Sequence, residues 1–161
     1  MRKLFSNERF KFFAKVTIAH VVTYFVAGLI AFYLLHNEYM YYYMEIMGFR
    51  PVDEINGLML ILGQIIRGLL LGIVIWLIKD SILGKKQAWL KLWVILIILG
   101  IFNTYGPAHG SIEGFIYLDP TRLEGMPVNA LLSMLEVLAQ PLLFSIIVTY
   151  ERVAIKSKPP N

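Results

Sequence analysis

From Val128 to Tyr150 the chain runs for 23 residues, VNALLSMLEVLAQPLLFSIIVTY, with Glu136 as its only charge. This stretch constrains the fold most, because as a helix it is long enough to cross a hydrocarbon layer of roughly 30 Å. Asn129, Ser133, Glu136 and Gln140 follow one another at spacings of four, three and four. At about 100° per residue they fall in an arc of roughly 60°, one polar stripe on an otherwise apolar helix. A second stripe, Asn56, Gln64 and Arg67, lies on the run Ile55 to Ile78. Two such stripes predict a membrane bundle that buries them against each other.

Composition agrees. The chain has 161 residues, enough for one domain, and 58% are apolar against 16% charged. A mean hydropathy of +0.65 is too high for an ordinary soluble domain. No cysteine is present, which excludes disulfides, thiolate metal sites and thiol redox chemistry. The net charge of +4 does not point to nucleic acid, since the basic residues flank apolar runs instead of forming a patch. Membrane lipids, with anionic headgroups beside those residues, are the expected partner.

Four apolar runs read as spans over 12–35, 55–78, 88–105 and 128–150. The expected fold is therefore all-α, a polytopic four-transmembrane-helix bundle in one domain. The first run is longer than a signal-peptide core and no small-x-small cleavage site follows it, so it reads as a retained span. Lys15 near its basic end can snorkel to headgroups. Orientation follows from Lys and Arg. Twelve flank the ends that face the termini, and only Arg50 and Arg122 lie on the other side. Seven of the eleven acids share that second side. The positive-inside rule then puts both termini in the cytoplasm, as in a prokaryotic inner or plasma membrane.

An internal repeat is expected as well. At an offset of 73 residues Asn56 falls on Asn129, Arg67 on Gln140 and His36 on His109, with leucines matching between them. A duplicated helical hairpin, two spans plus two, would give this pattern, with its pseudo-axis along the membrane normal.

Chemistry centres on two charges. Arg67 lies about 18 Å and Glu136 about 12 Å into their spans, counted from the side opposite the termini. A lone charge at such depth costs roughly 2.5–3.5 kcal/mol on insertion scales. The two are therefore expected to pair, directly or through Gln64 and Gln140. Buried pairs stabilise weakly, because desolvation offsets most of the attraction. A ligand-binding role competes with one of setting helix register. Asn56, Asn129 and Asn103 would add hydrogen bonds. Pro141, after Gln140, removes a donor to the Val137 carbonyl and is expected to kink the helix. Gly57, Gly63, Gly68 and Gly72 are expected to admit close neighbours.

The segment GPAHGSIEG offers His109 and Glu113 one helical turn apart. They could cover a cavity mouth, act as an acid–base pair, or ligate a metal if His36 joined them. No HExxH, GxSxG or phosphate-loop pattern supports an enzyme class, and no cofactor is called for. Met40, Met44 and Met47 with His36 sketch a soft copper(I) site or, more simply, an interfacial helix with an apolar face. His20 is expected to bond Tyr24 or a facing helix. Axial haem ligation would need a second histidine at its depth, which only an oligomer would supply. The function these residues predict is binding or transport of a small, anionic solute or lipid headgroup, with transport requiring a homo-oligomer. A lipid- or isoprenoid-modifying enzyme and a non-catalytic accessory subunit are the alternatives.

Overall fold

Ala19, Thr23, Ala27 and Ala31, small residues spaced by four along the first helix, are all buried. The computed structural model describes residues 7–46, 54–104, 108, 111–117 and 134–156. Helix α1 spans Asn7–Leu34. A short α2, His36–Met40, passes into a wide π-helical turn at Tyr41–Ile46. Helix α3 is Gly57–Ile82, and α4 is Ala88–Ile97, extended by a π-helical turn at Ile98–Phe102. A single helical turn, α5, covers Ile112–Tyr117, and α6 runs over Met134–Lys156. No strand occurs among the described residues.

Two helices, Glu8–Leu34 and Gly57–Ile82, are long and apolar enough to cross a membrane, with mean hydropathies of 1.8 and 2.3. Ala88–Phe102 and Leu135–Tyr150 are apolar but shorter. The expected starts and ends shift by a few residues. Helix α1 begins earlier than 12, and α3 continues past 78 to Ile82. Asn56 is the N-cap of α3, its side-chain oxygen accepting from the backbone N–H of Leu58 and Met59. Residues 128–133, with Asn129 and Ser133, lie outside the described residues, as does His109.

Helix α1 is the centre of the bundle. It packs antiparallel on α3 along one face and on α6 along another, while α4 packs on α6. On the α3 side a Cβ at Gly68 would sit 2.8 Å from the Thr17 backbone, and one at Gly72 would sit 2.8 Å from the Phe13 ring. A residue without a side chain is what lets the helices approach so closely. Gly57 and Gly63 differ from that expectation, since nothing lies within 4 Å of a Cβ at either.

The core sits toward the end that carries the basic residues. Val16, Ala19, Ile75, Ile82, Leu83, Ala88, Leu92, Phe144 and Val148 form one buried cluster there. Gln87 turns the chain between α3 and α4 in a left-handed conformation, φ 58°. At the same end Trp76 meets the Phe12 ring edge-on at 5.3 Å, and the Lys79 ammonium stands 3.6 Å from its centroid. Arg9 lies 5.5 Å from that centroid. The Lys15 ammonium donates to the Val148 carbonyl at 3.4 Å, tying α1 to α6 instead of reaching outward only.

The remaining faces are apolar and uncovered. Helix α3 exposes Leu58, Met59, Ile61, Leu62, Ile66, Leu69, Leu70, Ile73, Val74 and Leu77. So large a continuous apolar surface is foreign to a monomer in water.

Candidate functional site

His20 is the residue on which the polar side chains converge. It lies 13 residues into α1, about 20 Å from the start at 1.5 Å per residue, and is 2% exposed. Its Nε2 is 3.1 Å from the Gln64 side-chain oxygen on α3. Its Nδ1 is 3.4 Å from the Gln140 side-chain nitrogen on α6. An amide oxygen only accepts and an amide nitrogen only donates. The geometry therefore suits the neutral ring with its proton on Nε2, receiving from Gln140 and donating to Gln64. The Phe144 ring meets the imidazole at 88° with centroids 6.1 Å apart, closing the site toward the core.

Among the described members of the two stripes, Gln64 and Gln140 meet α1, where a histidine between them joins the two side chains. The physical reason is the packing order, which leaves α3 little contact with α4 and less with α6. His20 was expected to reach Tyr24 or a facing helix; it reaches two facing helices, with Tyr24 tilted beside it at 6.3 Å between centroids.

Arg67 and Glu136 lie on either side of this layer. The Glu136 carboxylate accepts from the Tyr43 hydroxyl at 3.1 Å, so the turn after α2 folds over the start of α6. Its other oxygen would be 3.3 Å from a Cβ at Gly28, where the missing side chain makes room for it. Arg67 is exposed and forms no ion pair among the described residues. No direct contact joins the two charges among the described residues.

Beside this layer is a cavity of about 160 Å³, lined by His20, Arg67, Leu71, Leu96, Gly100, Ile101, Val137, Gln140, Pro141 and Phe144. A cavity of about 150 Å³ is known to hold a benzene-sized molecule, so a four-oxygen anion fits. One wall is the π-helical turn after α4, closed by the Asn103 N–H donating to the Ile98 carbonyl at 2.8 Å. Wide turns of this kind recur at functional sites. Pro141, within a continuous α6, also lines the cavity. The Trp93 indole donates to the Leu138 carbonyl at 3.1 Å, next to the one that Pro141 deprives of its donor. That bond holds α4 to α6 at the proline.

Of the other expected residues, Asn103 is exposed at the end of the π turn and Glu113 is exposed on α5. His36 packs edge-on to Phe32 at 4.6 Å. No group of three carboxylate or imidazole side chains gathers around a common point among the described residues. Sequence reasoning underrated His20 and missed Tyr43. The signal for His20 was present, since an imidazole in the middle of an apolar span has no water to satisfy it. No family model, curated protein or solved structure matches the chain.

Proposed function

We propose that this chain is a four-span membrane protein that binds a small anionic group in the cavity beside His20. In this reading α1, α3, the α4 helix with its π extension, and α6 all cross the bilayer, with both termini in the cytoplasm by the positive-inside rule. The uncovered apolar faces would then meet lipid. A duplicated hairpin fits the offset of the sequence repeat, with α1–α3 matched by α4–α6. The broad α1–α6 packing has only a slight counterpart in α3–α4. That inequality leaves the side of the bundle on which Arg67 stands.

The observation that carries the binding reading is Arg67, a guanidinium with no ion pair among the described residues, on the wall of an otherwise largely apolar cavity. A cation held in the bilayer without a counterion is costly, and an anion in the cavity would supply the missing charge. The Gln140 amide also lines the cavity and would add a hydrogen bond. His20 fixes that amide by accepting from its nitrogen.

Thermal unfolding of the purified protein in a neutral detergent, with and without inorganic phosphate, sulfate and acetate, tests the proposal. A bound anion at 100 times its dissociation constant adds about 2.7 kcal/mol to the parent. Arg67→Gln should erase that shift while unfolding at the parent's ligand-free temperature. The proposal fails if no anion shifts the parent, or if the variant keeps the full shift.

A further inference from the structure

We infer that the anion entering this cavity is the headgroup of an amphipathic molecule with a single alkyl or isoprenoid chain, admitted sideways between α3 and α4. The inference rests on the anion-binding reading above and names its ligand class.

Three features carry it. The cavity has a mixed lining, with Arg67, His20 and Gln140 as its polar groups and Leu96, Ile101 and Phe144 among the apolar ones. A site for a free, fully hydrated anion gains nothing from apolar walls, whereas a charged head on a hydrocarbon chain matches both kinds of lining. Next, the wall is incomplete where α3 faces α4, because these helices barely touch. Ile82, Leu83, Ala88 and Leu92, around the α3–α4 connection, belong to the core cluster, whose Phe144 closes the cavity on the basic side. Last, the residues beside the opening are bare. Gly100 lines the cavity with nothing within 4 Å of a Cβ, and Gly63, one turn before Arg67, is equally open. Leu70, one turn after Arg67, is 57% exposed. A chain leaving the cavity along this gap would meet apolar surface and then the bilayer, with no polar backbone to desolvate.

The test compares inorganic phosphate, octyl phosphate and octanol on the parent, Gly100→Leu and Arg67→Gln, by thermal unfolding in a neutral maltoside detergent. On the parent, octyl phosphate should bind about tenfold tighter than inorganic phosphate, the gain expected from burying two methylene groups. Octanol should give no saturable shift. A leucine at Gly100 has space to stand in the opening; it should bring octyl phosphate down to the affinity of inorganic phosphate and leave the latter unchanged. Arg67→Gln should lose both. Equal affinity of the two phosphates on the parent would overturn the inference and leave anion binding standing. A tenfold gain that survives Gly100→Leu would overturn entry between α3 and α4. If neither phosphate shifts the parent, the inference and the reading beneath it both fall. The comparison on the parent stands even if Gly100→Leu does not fold.

Discussion

The two halves of the bundle are built on opposite principles. Toward the basic end, α1, α3, α4 and α6 close on a dry cluster in which Val16 is fully buried and Ile75, Leu92 and Phe144 are each 1% exposed. Beyond that cluster, toward the other end, polar side chains enter the contacts between the helices. Their buried groups there include His20 and Gln64, and a cavity holds Arg67 at its edge. The difference teaches where specificity lies. Apolar contacts between helices in lipid gain little from the hydrophobic effect, so the closed half is held by close fit. The open half is held by a few hydrogen bonds, which leaves space and donors for a ligand.

Substitutions in the closed half should break the fold. Phe144→Ala removes the aromatic group that joins the core cluster to the His20 ring, and the expected loss is about 3–5 kcal/mol, read by chemical or thermal unfolding. Retention of parental stability there would dissolve the contrast between the halves.

Gly68 and Gly63 give a sharper comparison on one helix. Gly68→Ala drives a methyl into the Thr17 backbone, 2.8 Å from the built position, and should cost about 1–3 kcal/mol. Gly63→Ala meets nothing within 4 Å and should gain about 0.5–1 kcal/mol from helix propensity. Equal effects at the two positions would mean that α1 and α3 do not cross as described.

In the open half, His20→Leu leaves the Gln64 oxygen and the Gln140 nitrogen without their ring partner. The expected cost is about 1–3 kcal/mol, and a triple variant with both glutamines changed to leucine should recover most of it. Failure of the triple variant to recover would show that the ring serves by its shape and not by its two hydrogen bonds. Tyr43→Phe should be the least costly of the destabilising changes, at about 1 kcal/mol, because the hydrogen bond it removes to Glu136 is only partly buried. A protease-sensitivity assay on the 36–46 segment would read whether that bond holds the turn in place.

Much of this was legible in the residues. Apolar runs, a polar stripe and the distribution of Lys and Arg are one-dimensional patterns, and they yield helices, their approximate ends and the expectation of a lipid setting. Arg67, Gln64 and Gln140 could be singled out because a polar group within an apolar run stands out without any knowledge of neighbours. Asn56 stood in the same pattern, yet its position before the first turn gave it a capping role that the periodicity of the stripe could not distinguish.

The tertiary structure decided which faces meet. Periodicity assigns a residue to a face but does not say which of three other helices that face will find, and the apolar runs are too alike to rank the pairings. Close approach settled it. Gly68 and Gly72 seat α3 on Thr17 and Phe13, and that register brings Gln64 to His20. The α1–α6 register, with Glu136 against Gly28, brings Gln140 to the other side of the same ring. A histidine that looked ordinary in the chain became the hub because two independent helix contacts happen to cross at its depth, and no local pattern carries that information.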